Sequence, residues 1–113
     1  MAHPTFSEAI QTLVDLIGQA VARIEQNYGE PDELHTMRAH LVELLRLMER
    51  SPGIDAAADD LDAAAAGLVR TTAADGSATL ARRQRVLREA LQRFQQRVAY
   101  AKPSATARQM GLA

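Results

Sequence analysis

The sequence predicts an all-α fold, an antiparallel up-down bundle of four helices. Three observations predict it. Apolar residues recur every three or four positions through four separate stretches. Breaks carrying Gly, Pro or Ser separate those stretches. No segment alternates apolar and polar residues as a half-buried strand does. The breaks are short, and short links favour antiparallel neighbours.

The first helix is expected over 6–28. Thr5-Phe6-Ser7-Glu8 has the capping-box layout, in which the Thr hydroxyl caps the helix and the Glu reaches back. Phe6, Ile10, Leu13, Ile17, Val21, Ile24 and Tyr28 then form one stripe, which Val14 broadens. Gly29 suits a C-cap and Pro31 prevents continuation.

The second helix, over 32–50, carries the strongest helical signal. Leu34, Met37, Leu41, Leu44, Leu45 and Met48 share a stripe. Asp32 and Glu33 open it while Arg46 and Arg50 close it, as the helix dipole favours. Val42 and Leu47 fall outside the stripe on different flanks, so this helix is expected to touch more than one neighbour. Ser51-Pro52-Gly53 stops it.

The third helix is expected over 55–69, with Ile54, Ala58, Leu61, Ala65 and Leu68 as its stripe and Gly67 as an early end. Its alanines supply helix propensity and little burial, and they allow close backbone approach. Asp55, Asp59 and Asp62 form an acidic ridge beside that stripe. Asp75-Gly76 marks a turn, with Ser77 as an N-cap candidate. The fourth helix, over 79–102, places Leu80, Leu87, Leu91, Phe94, Val98 and Ala101 on one face. Gln84 occupies the apolar slot between Leu80 and Leu87. It either fixes register or marks a wet, frayed end. Pro103 stops the helix. One domain over 1–102 and a flexible tail over 103–113 follow. The first and last helices are the longer ones, and their uncovered apolar ends point to a homodimer.

A chain of 113 residues is one domain's length and buries roughly 65% of its unfolded surface. It has no cysteine, so neither a disulfide framework nor a thiolate metal site is open to it. No apolar run approaches the ~18 residues of a membrane span, and MAHPTFSE lacks a signal-peptide layout. These features fit a cytoplasmic protein. Abundant alanine, with twelve arginines against one lysine, is the bias of a GC-rich bacterial genome.

Charge divides the chain. Residues 1–79 carry thirteen carboxylates and five arginines, a balance of −8. Residues 80–113 carry eight basic residues and one carboxylate, Glu89, a balance of +7. The arginines of the fourth helix could neutralise phosphates, with Arg82, Arg83, Arg85 and Arg88 as candidate contacts to a partner or to nucleic acid. They are spread around the helix, and aromatic support is thin, with Phe94 in the core face and Tyr100 alone. The favoured reading is pairing within the chain or between subunits, with Asp55, Asp59, Asp62 or Glu43 as local partners. Nucleic acid ranks second and an acidic protein third.

Chemistry is sparse. His35 and His40 are five apart and point about 140° from each other on a helix, unlike the i, i+4 ligands of a zincin. His3 stands in the leading segment. No Glu-x-x-His pairs suggest a di-iron bundle. Ser7, Ser51, Ser77 and Ser104 fall where capping explains them, and no nucleophile elbow, P-loop or dinucleotide fingerprint occurs. Asp59, Asp60 and Asp62 lack EF-hand spacing and read as a solvated face. The expectation is a non-enzymatic protein without cofactor or metal. It would be adaptor- or chaperone-like, and would bind itself or another protein. Nucleic-acid association through the fourth helix is the alternative, and no membrane contact is expected.

Overall fold

The computed structural model describes residues 4–27 and 30–112. Four long helices pack together: α1 (Phe6–Gln26), α2 (Pro31–Leu47), α3 (Pro52–Val69) and α4 (Ser77–Val98). A short α5 (Ala105–Gln109) follows them. No strand forms among the described residues. One isolated antiparallel bridge joins Met48 to Pro103.

Each boundary has a local cause. Thr5 Oγ1 accepts the Glu8 amide at 3.1 Å, so the N-cap forms as expected. Glu8 makes no return bond to Thr5, and its carbonyl instead accepts the Thr12 hydroxyl at 2.9 Å. Asn27 closes α1; Tyr28 and Gly29, expected as its last turn and cap, lie outside the described residues, as does His3. Pro31 is the first residue of α2, where its missing N–H costs nothing.

The second helix ends three residues earlier than expected. Met48 is extended, with φ −110° and ψ 147°, and turns inward to bury its side chain. Ser51 and Pro52, read as a stop for α2, in fact start α3. Ser51 Oγ accepts the Ile54 amide at 3.2 Å, and Pro52 occupies the first turn. Gly67 does not end α3, which runs on to Val69. Ser77 is the first helical residue of α4, and Gly76 precedes it with φ +87°, a conformation glycine adopts freely. The fourth helix ends at Val98, four residues before Lys102.

Side-chain contacts tie the helices to one another. Arg23 reaches Glu33 at 2.7 Å between α1 and α2. Arg38 reaches Asp62 at 2.6 Å between α2 and α3. Gln84 and Arg88 of α4 both reach Glu25 near the end of α1. The pairs α1–α2 and α3–α4 each pack more closely within themselves than against each other. The molecule measures 50 × 29 × 15 Å, longer than the roughly 33 Å of its 22-residue α4. Its radius of gyration, 15.1 Å, exceeds the about 13 Å of a compact chain this size.

One apolar cluster joins all the helices. Ile17, Ile24, Met37, Leu44, Leu61, Leu68, Leu87 and Phe94 are among its large, fully enclosed members. Every residue of the expected α1 and α3 stripes that is described is buried. Leu47, read as lying off the α2 stripe, is buried, while Val42 is 60% exposed.

The segment 103–113, expected as a flexible tail, folds back where it is described. Ser104 donates its amide to Leu47 O at 2.9 Å and its hydroxyl to Arg46 O at 2.6 Å. It thereby satisfies carbonyls that the end of α2 leaves open. The Glu49 amide donates to Lys102 O at 2.8 Å. Ala107 and Leu112 are buried, which anchors α5 on α2. Weak periodicity concealed this, because two apolar contacts and a set of caps hold the segment.

Candidate interaction surface

Among the described residues α4 carries the most arginines outside ion pairs, so the surface is built from it. Leu87, Ala90, Phe94 and Val98 face the core. Arg83 and Arg88 flank that face and are engaged within the chain. Arg83 Nη1 donates to the buried Thr71 hydroxyl at 2.8 Å and lies 3.8 Å from Asp75. Thr71 in turn donates to Gly67 O at 3.1 Å, so Arg83 clasps the α3–α4 turn. Arg88 Nε meets Glu25 Oε1 at 2.5 Å. Beside it, half-buried Gln84 donates to the Glu25 carbonyl at 3.3 Å. Gln84 therefore ties α4 to α1.

The expected local pairing is redistributed. Asp62 is taken by Arg38 of α2, bound through Nε at 2.6 Å and Nη2 at 3.1 Å. That two-pronged hydrogen bond holds the Arg38 pKa above its ordinary value. Asp55 is taken by Arg50 at 2.5 Å. Asp59 and Glu43 form no ion pair among the described residues. Of the acidic ridge, Asp62 thus pairs with α2 and Asp55 with the α2–α3 link, and the basic helix pairs with Glu25 and Asp75 instead.

Arg82, Arg85, Arg93 and Arg97 have no ion-pair partner among the described residues. Removing the two engaged arginines changes the pattern. At about 100° per residue, Arg82, Arg93 and Tyr100 nearly coincide, with Arg97 and Arg85 on either side within about 60°. All four arginines are exposed. Val86, 44% exposed, and Tyr100, 88% exposed, share their side. The sequence suggested arginines scattered around the helix; internal pairing leaves the unpaired ones on one face. Of the four candidates, Arg82 and Arg85 belong to it and Arg83 and Arg88 do not. Arg93, Arg97, Val86 and Tyr100 complete it, and the spacing 86, 93, 97, 100 was the signal available for them.

The face suits recognition. Guanidinium forks bind carboxylates or phosphates in two-point geometry, and an exposed Tyr adds apolar contact with a polar tip. Beside it, Asp60, Ala63 and Ala64 of α3 form a shallow groove with Val86, Ala90 and Arg93. The Arg97 guanidinium lies over Gly53, where an added Cβ would approach Nη1 to 3.3 Å. No group of three or more His, Asp or Glu side chains among the described residues could hold a metal ion. His35 is exposed and His40 half-buried. No described helix is long and apolar enough to cross a membrane. No family model matches the chain, and no curated protein or solved structure matches it either.

Proposed function

We propose that this protein is an up-and-down helical bundle that acts without catalysis, by protein–protein contact, in the manner of an adaptor or chaperone. Its contact surface is the outward side of α4. The supporting observation is the set of unpaired arginines sharing one helix face with exposed Val86 and Tyr100. Arg and Tyr are the residue types that most often anchor protein interfaces. A bacterial cytoplasmic setting fits the composition.

Nucleic-acid association is the second reading, carried by Arg82 and Arg85 at the start of α4. Two charges oppose it. Glu89 stands in the middle of the face, and Asp60 lines the adjoining groove, so a polyanion would meet repulsion along its track. A heparin column separates the readings. The protein is expected to flow through at ~50 mM salt; retention there that disappears by ~200 mM would favour nucleic acid. Capture from source cells by wild type and by Arg93→Ala/Tyr100→Ala provides the direct test. Proteins held by wild type should be absent from the variant. Identical captured sets would overturn the assignment of this face.

A further inference from the structure

We infer that residues 102–112 are a latch that covers apolar surface beside the end of α2, pins the α2–α3 link, and opens as a unit while the four long helices stay folded. The inference is independent of the reading of the α4 face.

The contacts of the segment carry it. Among the described residues, its hydrogen bonds to the rest of the chain go to one place, the end of α2 and the link that follows. Ser104 donates its amide to Leu47 O at 2.9 Å and its hydroxyl to Arg46 O at 2.6 Å. The Glu49 amide donates to Lys102 O at 2.8 Å, and Pro103 bridges to Met48. The link 48–51 is where the chain passes from α1 and α2 to α3 and α4, so the closed latch ties that joint a second time.

Little else holds the segment down. Of residues 102–112 only Ala107 and Leu112 are buried, whereas α4 alone buries Leu87, Ala90, Phe94 and Val98. Burial stabilises in proportion to apolar area, so lifting the segment costs a small part of what unfolding the bundle costs. That is the condition for opening one piece of a fold by itself. The piece moves as one because its parts depend on each other. Ser104 Oγ accepts the Ala107 amide at 3.1 Å, and the same hydroxyl donates to Arg46 O. At the other end Gly111, at φ +83°, lets its amide reach Arg108 O and the Leu112 amide reach Ala107 O, both at 3.0 Å. A helix of five residues does not persist once it leaves its seat.

Leu112 and Met110 form one wall of an open crevice of about 320 Å³, with Ala9 and Leu13 of α1 and Glu43 and Leu47 of α2 opposite. Lifting the latch widens this crevice and bares the surface under Ala107 and Leu112. An apolar segment of another protein seats against that surface only after displacing Leu112, so the closed latch is an autoinhibitory contact.

The chain has no cysteine, and Ala107 and Ala65 are both fully enclosed, one in the latch and one in the bundle. Ala107→Cys and Ala65→Cys therefore report the two openings through the rate at which iodoacetamide labels each thiol, with circular dichroism to confirm folding. Ala107→Cys should label at least about 100-fold faster than Ala65→Cys. Adding Ser104→Ala should speed labelling of Ala107→Cys about tenfold and leave Ala65→Cys unchanged. Hydrogen exchange on the unsubstituted chain gives a second measurement. The Glu49 and Ser104 amides should be protected, exchange together, and do so at least about 100-fold faster than those of Leu44 and Leu87 after correction for intrinsic rates. Equal labelling at the two sites, or Ser104→Ala speeding both alike, would overturn the inference by making the segment part of the bundle's single transition. Glu49 and Ser104 amides without protection would overturn it too, since the latch would then not be closed in solution.

Discussion

The two hairpins solve the same packing problem with different side chains. Hairpin α1–α2 meets through bulky aliphatics such as Ile17, Ile24, Met37 and Leu44. Hairpin α3–α4 sets Ala57, Ala58 and Ala65 with Leu61 and Leu68 against Leu87 and Phe94. The first derives its strength from buried area, at about 25 cal/mol per Å². The second derives closeness from small residues, and each enclosed methyl brings little area. What the second hairpin lacks in core it carries outside, as unpaired charge on α4. The difference teaches that substitutions in the α1–α2 core bear mainly on stability, and that the outer side of α3–α4 can be substituted without unfolding the chain.

The largest test of that division strikes the first hairpin. Leu41 is 6% exposed, and Leu41→Asp would set an unpaired carboxylate in the shared core. That penalty is several kcal/mol, comparable with the about 5–15 kcal/mol that holds a domain together. The variant should lose its cooperative melt by circular dichroism. Because one cluster joins both hairpins, α3–α4 should melt with α1–α2. A surviving transition would mean that the hairpins fold independently.

The next test sets bulk against closeness. Ile17 and Ala65 are both fully enclosed. Ile17→Val removes one methylene from the bulky hairpin and should cost about 0.5–1.5 kcal/mol. Ala65→Leu forces volume into the close hairpin and should cost more, about 1–3 kcal/mol. Urea unfolding of both variants measures the order. If Ala65→Leu proves the milder change, α3 and α4 are not as closely seated as their alanines imply.

Why some of this was legible in the sequence, and some not, follows from the kind of force involved. The α1 and α3 stripes were readable because periodic burial is a local pattern, repeated from Phe6 to Ile24 and from Ile54 to Leu68. Boundaries were less so. Ser51-Pro52 reads equally as an end or a beginning, and the choice depended on Met48 turning inward to meet Pro103. The docking of α5 was hidden because Ser104 caps a helix that ended 57 residues earlier in the chain, a contact without a sequence signature. At the surface, the arginines themselves were visible, and their partners were not. Asp62 could have met α4 and met Arg38 instead, a choice set by how α3 is rotated. Only after Arg83 and Arg88 find their partners do the unpaired arginines fall on one side.

Smaller effects come from glycines within the helices. An added Cβ at Gly18 or Gly67 meets nothing within 4 Å. Gly18→Ala and Gly67→Ala should each raise stability by about 0.4–1 kcal/mol, mainly by restricting the unfolded chain. Gly76→Ala should lower it, since φ +87° strains any side chain. Differential scanning calorimetry reads all three. A neutral Gly67→Ala beside a stabilising Gly18→Ala would show that the α3 flank is covered in solution.

The smallest effect lies in the turn that joins α3 to α4. Asp75 Oδ2 accepts the Thr72 amide at 2.8 Å, with the Thr72 hydroxyl at 3.2 Å. The amide bond, helped by Thr72's hydroxyl and by Arg83, holds the carboxyl below its ordinary value of 3.8. A depressed folded-state pKa contributes stability above the unfolded value and loses it as pH falls through the folded value. Asp75 is exposed, so screening keeps the contribution small. Acidification from about pH 5 to about pH 2 should therefore lower the melting temperature of wild type slightly more than that of Asp75→Asn. The Asn side chain keeps an acceptor for the amide and has no proton to gain. Curves that fall in parallel would mean that the turn is held by Arg83 and Thr71 alone, and that the second hairpin closes without help from its acidic residue.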